Sequence, residues 1–229
     1  MLDEPAIDEI FRRFAELKPD QDVIPEIKVK DTVFKSLVSV MLSAQSRDAN
    51  TAKATAKLFA VAQTPEQILA LPEERLQQLI KDAGLYRAKA RNIQRMCRVL
   101  LDERGGEVPR TREEMMTLPG VGRKSADIML RFVFGEVAIA VDTHVFRVSR
   151  RLGLARGKVE AQVARELETR VPERWRWGAH IWLLEHGKQV CRSRRPLCEG
   201  CFQADLCERN GVDPGIPRAV VARAGQGRG

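Results

Sequence analysis

Apolar residues recur at helical spacing along almost the whole chain. Residues 31–42 place a broad apolar face on one side of a predicted helix, made of Val33, Phe34, Leu37, Val38, Met41 and Leu42. No segment alternates apolar and polar residues between turn signals, as a half-buried β-strand would. The pattern therefore predicts an all-α chain.

Capping and stop signals place the ends of these helices. Thr64-Pro65-Glu66-Gln67 combines a cap, a proline in the first turn and a glutamine at the third helical position, and Thr111 with Glu114 forms a second capping box. Glycines at 84, 105 and 106 are typical helix stops. The predicted helices are 31–42, 48–61, one opening at Thr64, 72–82, 86–103, 111–118, 123–134, 143–152, 158–171 and 173–187.

The charge balance favours a polyanionic partner. The 229 residues carry 39 Lys and Arg against 31 Asp and Glu, a net charge of +8 with a pI near 9.5, and nucleic acid is the leading candidate. No apolar run has the roughly 18 to 20 residues of a membrane span. The N-terminus lacks the basic and apolar stretches of a secretory signal, so we expect the cysteines to meet a reducing cytosol. No coiled-coil repeat is present, and we expect a monomer.

Residues 118–126, LPGVGRKSA, set two glycines between two predicted helices. Gly120 and Gly122 can adopt positive φ and allow another backbone to approach closely. Successive N–H groups of such a turn, with the open amides of the next helix, form an anion site that needs no particular base sequence. An ordinary corner between two helices has the same spacing. The basic charge and the flanking helices favour a hairpin that holds a nucleic-acid backbone.

Lys124 and Asp142 each permit an ordinary and a chemical interpretation. A lysine in the first turn of a helix is commonly a solvated charge or a phosphate contact, but a neutral lysine amine is also a nucleophile for an electrophilic sugar carbon. In AIAVDTHVFRV, Asp142 stands at a predicted helix start, where aspartate is usually a cap. Its carboxylate can also stabilise charge that develops when a glycosidic bond breaks. For His144, packing or a DNA contact is expected before proton transfer.

Four of the five cysteines lie in one short stretch, KQVCRSRRPLCEGCFQADLCERN, with six, two and five residues between them. This clustering predicts a metal site formed by Cys191, Cys198, Cys201 and Cys207. Zinc sites usually have two C-x₂-C arms, and this stretch has one, which tilts against zinc without excluding it. An iron–sulfur cluster also takes four thiolates. Basic residues around the cysteines would offset thiolate charge and suit phosphate contacts.

The motifs LPGVGRKSA, AVDTHVFRV and C-x₆-C-x₂-C-x₅-C, in this order, resemble the endonuclease III family. The likeness runs from about residue 31 to Asn210 and includes LSAQSRD and AGLYRAKARNI. It implies a helix–hairpin–helix DNA glycosylase of base excision repair with an associated AP lyase. Such an enzyme removes oxidised pyrimidines from double-stranded DNA and then cleaves the abasic site by β-elimination through a lysine Schiff base.

The resemblance also implies two helical domains that flank an active-site cleft. One is a six-helix domain, 26–136, that carries the hairpin. The other joins 1–25 to 137–211 and carries a structural [4Fe-4S] cluster on the four cysteines. Residues 212–229 contain few apolar side chains and are predicted to be a disordered tail. A cytoplasmic location is expected, associated with the nucleoid if the source is bacterial.

Residue roles follow from the matched motifs. By resemblance, Lys124 would be the Schiff-base nucleophile and Asp142 its carboxylate partner. Gln45 would fill the vacated base stack, and Leu85 would be a wedge on the other strand. Met116 stands where familiar members carry an acidic residue near the pocket, so the substrate range is less firmly implied than the reaction. The other expected DNA contacts are Leu118, Gly120, Val121, Gly122, Arg123, His144, Lys188, Arg192, Arg194 and Arg195.

Two rival interpretations predict different chemistry. An adenine-removing relative of the same fold would use a glutamate and lack the hairpin lysine, so Lys124 counts against it. A non-catalytic DNA-binding module with a zinc site would explain the charge and the hairpin. It would not explain the pairing of Lys124 with Asp142.

Overall fold

The computed structural model describes residues 1–18 and 32–217. These ranges contain eleven α-helices and no strand, which confirms the all-α prediction. None of the described helices is long and apolar enough to cross a membrane. The helices are α1 (Glu4–Leu17), α2 (Val33–Ser43), α3 (Asp48–Phe59), α4 (Pro65–Leu69), α5 (Glu73–Leu79), α6 (Tyr86–Arg104), α7 (Arg112–Met115), α8 (Arg123–Phe132), α9 (Thr143–Leu152), α10 (Glu160–Arg170) and α11 (Glu173–Gln189).

The chain divides into two compact units. The hairpin unit is Ile24–Ala140, and the cysteine unit combines Met1–Val23 with Val141–Gly229. The predicted boundary between residues 25 and 26 lies outside the described residues, as do residues 218–229 of the predicted disordered tail.

In the hairpin unit, α2 is the central helix. Its residues from Phe34 to Leu42 are all buried, because apolar side chains surround most of its circumference. It packs against α3, α6 and α8. Helix α8 therefore packs against a helix whose residues 34–42 are all buried.

In the cysteine unit, α1 and α11 share an aromatic core. Phe11 and Phe14 lie 6.1 and 6.3 Å from the Trp182 ring, and Phe14 meets His186 edge-on at 5.3 Å. Helix α11 also packs closely on α9, since a Cβ added at Gly187 would lie 2.9 Å from the Cβ of His144. The fold thus sets the N-terminal turn of α9 beside the helix that leads into the cysteine loop.

Most predicted helix ends agree with the structure to within a few residues. Thr64 and Thr111 are N-caps, each accepting a backbone N–H at 3.3 Å. Helix α7 ends at Met115 rather than 118, because Leu118 already accepts the turn hydrogen bond of the hairpin from Val121 at 3.1 Å. Helix α1 is not among the helices predicted from periodicity; Asp3 caps it by accepting the backbone N–H of Ala6.

Candidate functional site

The hairpin between α7 and α8 depends on one left-handed residue. Gly120 has φ +82°, and a Cβ there would lie 2.8 Å from the Cβ of Asn92 and 3.1 Å from Cε of the buried Met41. Leu118 and Val121 are buried, so any DNA contact at these two positions must come from their backbone. Gly122 is exposed and is the N-cap of α8 without a side-chain cap. The amides of the first turn are therefore open to a phosphate.

Lys124 is exposed on the first turn of α8. Its neighbour Arg123 is held differently, because its Nε lies 3.4 Å from Oδ2 of the fully buried Asp127. Oδ1 of Asp127 accepts a hydrogen bond from Arg112 Nε at 2.5 Å. The buried carboxylate thus ties α7 to α8 across the hairpin, a role that the sequence did not reveal.

Asp142 is half-buried at the start of α9, where it acts as the N-cap. Its Oδ1 accepts hydrogen bonds from the backbone N–H groups of His144 at 2.9 Å and Val145 at 2.8 Å. Among the described residues, Oδ2 accepts no hydrogen bond. One oxygen therefore holds the helix start, and the other is available to a ligand or a proton.

Arg147 connects the start of α9 to the cysteine loop. It donates to the backbone oxygens of Cys191 at 3.0 Å and Gly187 at 2.9 Å, and it lies 3.2 Å from Nδ1 of His144. Burial lowers the pKa of Arg147. Arg151, one turn later, donates to the backbone oxygens of Arg192 and Ser193 at 2.7 and 2.8 Å. The i,i+4 spacing of these arginines is visible in the sequence, but their partners are not.

The four clustered cysteines line one cavity. All four are free thiols, and the rest of the lining is largely apolar, with His186 and Arg151 as its polar members. Cys201 Sγ lies 3.7 Å from Nε2 of His186, and Arg151 reaches Sγ of Cys191 at the same distance. In the described ranges, no three His, Cys, Asp or Glu side chains are grouped as a site for a single metal ion.

Burial disfavours ionisation of these thiols. It raises the pKa of Cys201 to about 11, and it raises the pKa of Cys207 in the same direction. A thiol is deprotonated when it coordinates a metal, so a cation here would replace protons and reverse this preference. The donor chemistry therefore fits a metal or cluster bound by thiolates.

The basic residues around the cysteines are placed for solvent or phosphate. Arg194 and Arg195 are exposed between Cys191 and Cys198. Arg192 is exposed too, and its Nε donates to the backbone oxygen of Gln189 at 3.2 Å. Lys188 is half-buried on α11, with Nζ 3.9 Å from Glu185.

Gln45 and Leu85 lie on two neighbouring loops of the hairpin unit. Both are exposed, and both adopt a left-handed backbone, with φ of 51° and 57°. Leu85 is 60% exposed, which is unusual for a large apolar side chain that precedes a well-packed helix. The structure thus brings together these two residues, which lie 40 positions apart in the sequence.

Comparison with known proteins decides the family. The model of the HhH-GPD superfamily of base excision DNA repair proteins matches residues 38–173. Endonuclease III of Escherichia coli strain K12 is 47% identical over 175 residues, which cover 76% of this chain and 83% of that protein. The chain belongs to the endonuclease III family.

Solved structures agree with this membership. A trapped endonuclease III–DNA covalent intermediate has a TM-score of 0.84 and 41% identity, covering 91% of this chain and 97% of that one. A non-covalent endonuclease III–DNA complex has a TM-score of 0.83 and 42% identity over the same shares. The family resemblance and the helical fold expected from the motifs are therefore confirmed.

Proposed function

We propose that Lys124 is the nucleophile with which this chain removes oxidised pyrimidines from duplex DNA and cleaves the abasic site. The enzyme class follows from the family, whose members are DNA glycosylases with AP lyase activity. The observation that carries the assignment is the exposed amine of Lys124 on the first turn of α8, directly after the open hairpin. The similar trapped protein–DNA intermediate supports a covalent route.

The reaction begins when the damaged nucleotide rotates out of the duplex. Lys124 Nζ attacks C1′, and the glycosidic bond breaks as the base leaves with the bonding electrons and is protonated. The attacking nitrogen loses a proton; the C1′–O4′ bond then breaks, O4′ takes up a proton, and a C1′ iminium forms. The iminium acidifies the C2′ proton; its removal forms a C2′–C3′ double bond and expels the 3′ phosphate. Water then hydrolyses the imine and frees Lys124.

Asp142 is the carboxylate that assists this chemistry. It accepts a proton from the attacking amine and stabilises positive charge on the sugar as the base departs. Its N-cap hydrogen bonds use Oδ1 alone, so the carboxylate is oriented by the helix while Oδ2 can serve the reaction. The ordinary and chemical interpretations of Asp142 are thus compatible.

The DNA grip combines backbone amides with positive charge. The turn at 118–122 and the first amides of α8 bind phosphate, helped by Arg123, His144 and the basic positions Lys188, Arg192, Arg194 and Arg195. Gln45 fills the gap that the extruded nucleotide leaves, and Leu85 wedges against the opposite strand. An exposed leucine at a left-handed loop position suits this use, since unstacked bases offer it an apolar contact.

The four cysteines hold a [4Fe-4S] cluster in this proposal. A [4Fe-4S] cluster would take four cysteine thiolates, one from each of these residues. The four thiols that line a single, mainly apolar cavity meet this requirement. When bound, the cluster would cross-link the loop from Cys191 to Cys207 and serve a structural purpose. Because Arg147 and Arg151 donate to backbone oxygens of this loop, a rigid loop would also hold α9 and Asp142 in position.

The residue at position 116 bears on the substrate range of the enzyme. Met116 is 46% exposed four residues before Gly120, where an acidic residue would add negative charge near the hairpin. Its absence alters the electrostatics of the pocket and hence the range of lesions accepted. The enzyme acts as a monomer in the cytoplasm, and at the nucleoid if the source is bacterial.

Borohydride trapping tests the assignment of Lys124. The protein is incubated with a duplex that carries one oxidised pyrimidine, borohydride is added, and a covalent protein–DNA band is sought. We expect a band for the wild type and for Lys158→Gln, an exposed lysine of the cysteine unit that matches the charge change. Lys124→Gln should give no band.

Other outcomes point elsewhere. Base release without any trapped band would indicate a monofunctional glycosylase that uses water. Tight duplex binding with neither band nor base release would refute the proposed enzymatic activity and favour a DNA-binding module. A wild-type band in Lys124→Gln would assign the nucleophile to another amine.

A further inference from the structure

Two loops of the hairpin unit hold non-glycine residues in a left-handed conformation. Gln45 follows α2, and Leu85 is the N-cap of α6. Residues other than glycine rarely adopt a left-handed backbone, and they keep it only where neighbouring residues hold them there. The question is which residues impose it on both loops.

The two loops touch through their backbones. A Cβ added at Gly84 would lie 2.5 Å from the backbone oxygen of Gln45. Only a glycine at position 84 allows this approach. The orientation of Gln45 is therefore coupled to the chain that leads directly into Leu85.

Lys89, a buried residue of α6, connects the same two loops. Its backbone N–H makes the ordinary helical hydrogen bond to the oxygen of Leu85 at 3.1 Å, and its Nζ donates to the oxygen of Leu42 at 2.7 Å. The Leu42 oxygen belongs to the last turn of α2, where backbone oxygens lack helical partners and favour a cation. One residue thus ties the start of α6 to the end of α2, three positions before Gln45.

Burying an amine at this position costs desolvation free energy, which an apolar side chain in the same space would not cost. Lys89 is only 8% exposed, and burial lowers its pKa to about 8. A methionine of similar length would fill the space without this desolvation. The hydrogen bond to Leu42 is the feature that only the amine supplies.

We infer that Lys89 is a positioning residue that sets Gln45 and Leu85 in the orientation with which they enter the duplex. The inference rests on the proposed function of those two residues. Lys89 itself is buried and acts through the loops rather than on DNA. Its loss should therefore impair extrusion of the nucleotide and spare the reactivity of Lys124.

Lys89→Met separates these effects. Extrusion is followed with a fluorescent adenine analogue opposite the lesion, whose emission rises when it unstacks, at saturating protein. Reactivity of the amine is followed by borohydride trapping on a single-stranded oligonucleotide with one abasic site, which needs no extrusion. We expect duplex turnover and the emission rise to fall by about 10- to 100-fold, as misplacement by about 1 Å can cause. Single-strand trapping should stay within about twofold of the wild type, since Lys124 is untouched.

Two further variants guard against a simple folding defect. Lys35→Met is the matched control, because Lys35 is another buried lysine of this unit and donates to Gln63 at 2.7 Å. It should leave the duplex-to-single-strand ratio unchanged. Gly84→Ala should reproduce the selective loss of Lys89→Met, because it forces the two loops apart while keeping the amine.

Equal losses on both substrates, or none, in Lys89→Met and Gly84→Ala would overturn the inference. Gln45→Ala and Leu85→Ala distinguish this from failure of the proposed function. If they lower the emission rise while the other two variants do not, the wedge stands and the positioning role is wrong. If they leave it unchanged, the wedge itself is refuted and the inference falls with it.

Discussion

Gly120→Ala should damage the hairpin in a way that the structure quantifies. At φ +82°, an alanine carries a left-handed strain of about 1–2 kcal/mol. Its Cβ would also stand 2.8 Å from the Cβ of Asn92 and 3.1 Å from Cε of Met41. Overpacking of this kind typically adds about 1–3 kcal/mol. The free energy of unfolding should therefore fall by roughly 3 kcal/mol, within the summed range of about 2–5 kcal/mol.

Gly122→Ala is the matched control within the same motif. Gly122 has φ −97° and no atom within 4 Å of an added Cβ. Replacing glycine at a compatible conformation stabilises by about 0.4–1 kcal/mol through the unfolded chain. Alanine is a poorer N-cap than glycine by a similar amount. The net change in stability should lie within about 1 kcal/mol of zero.

Urea and thermal denaturation, followed by circular dichroism, measure the difference. A loss of about 3 kcal/mol corresponds to a fall in Tm of roughly 6–12 °C for a chain of this length. Gly120→Ala should also bind undamaged duplex more weakly, and Gly122→Ala should do so only if phosphate approaches that backbone closely. Equal stability of the two variants, within about 0.5 kcal/mol, would refute the claim that the left-handed turn requires glycine.

Two further predictions concern the cysteine unit. Asp142→Asn keeps an N-cap oxygen, so its Tm should stay near the wild-type value while turnover falls by about 10²–10³-fold. Asp142→Ala should also lose about 1 kcal/mol of stability. Equal turnover of Asp142→Asn and wild type would exclude the carboxylate from the reaction. Cys198→Ser should lower bound iron below about four atoms per chain and weaken the visible absorbance. Cys97→Ala, which changes a buried thiol of the hairpin unit, should leave both unchanged. Full iron in Cys198→Ser would contradict the proposed ligand set.

The sequence was sufficient for the helices because their signals are local. Thr64 and Thr111 cap where their neighbours predicted, and the glycines at 105 and 106 end α6 in a left-handed turn. Helix α1 escaped detection although Asp3, Pro5 and the buried Ile7 and Ile10 supply its cap and apolar face. These signals are as local as those of the other helices, so the sequence is sufficient for α1 as well.

The sequence was insufficient for long-range polar partners. Nothing near Asp127 shows that its carboxylate is fully buried between Arg112 and Arg123. Lys89 likewise stands in a basic stretch, where exposed charge is the natural expectation, yet its amine meets a backbone oxygen 47 positions away. Periodicity assigns a residue to a face of its own helix. It does not identify what that face meets.

Asp142 shows how one local pattern can support two interpretations that do not exclude each other. The spacing that makes an aspartate a good N-cap also sets its carboxylate at the positive end of a helix dipole, where an anion is stabilised. The two backbone hydrogen bonds to Oδ1 fix the group without consuming Oδ2. Capping therefore supplies the orientation that the proposed catalytic role of this carboxylate requires, and a helix start can support both uses with one side chain.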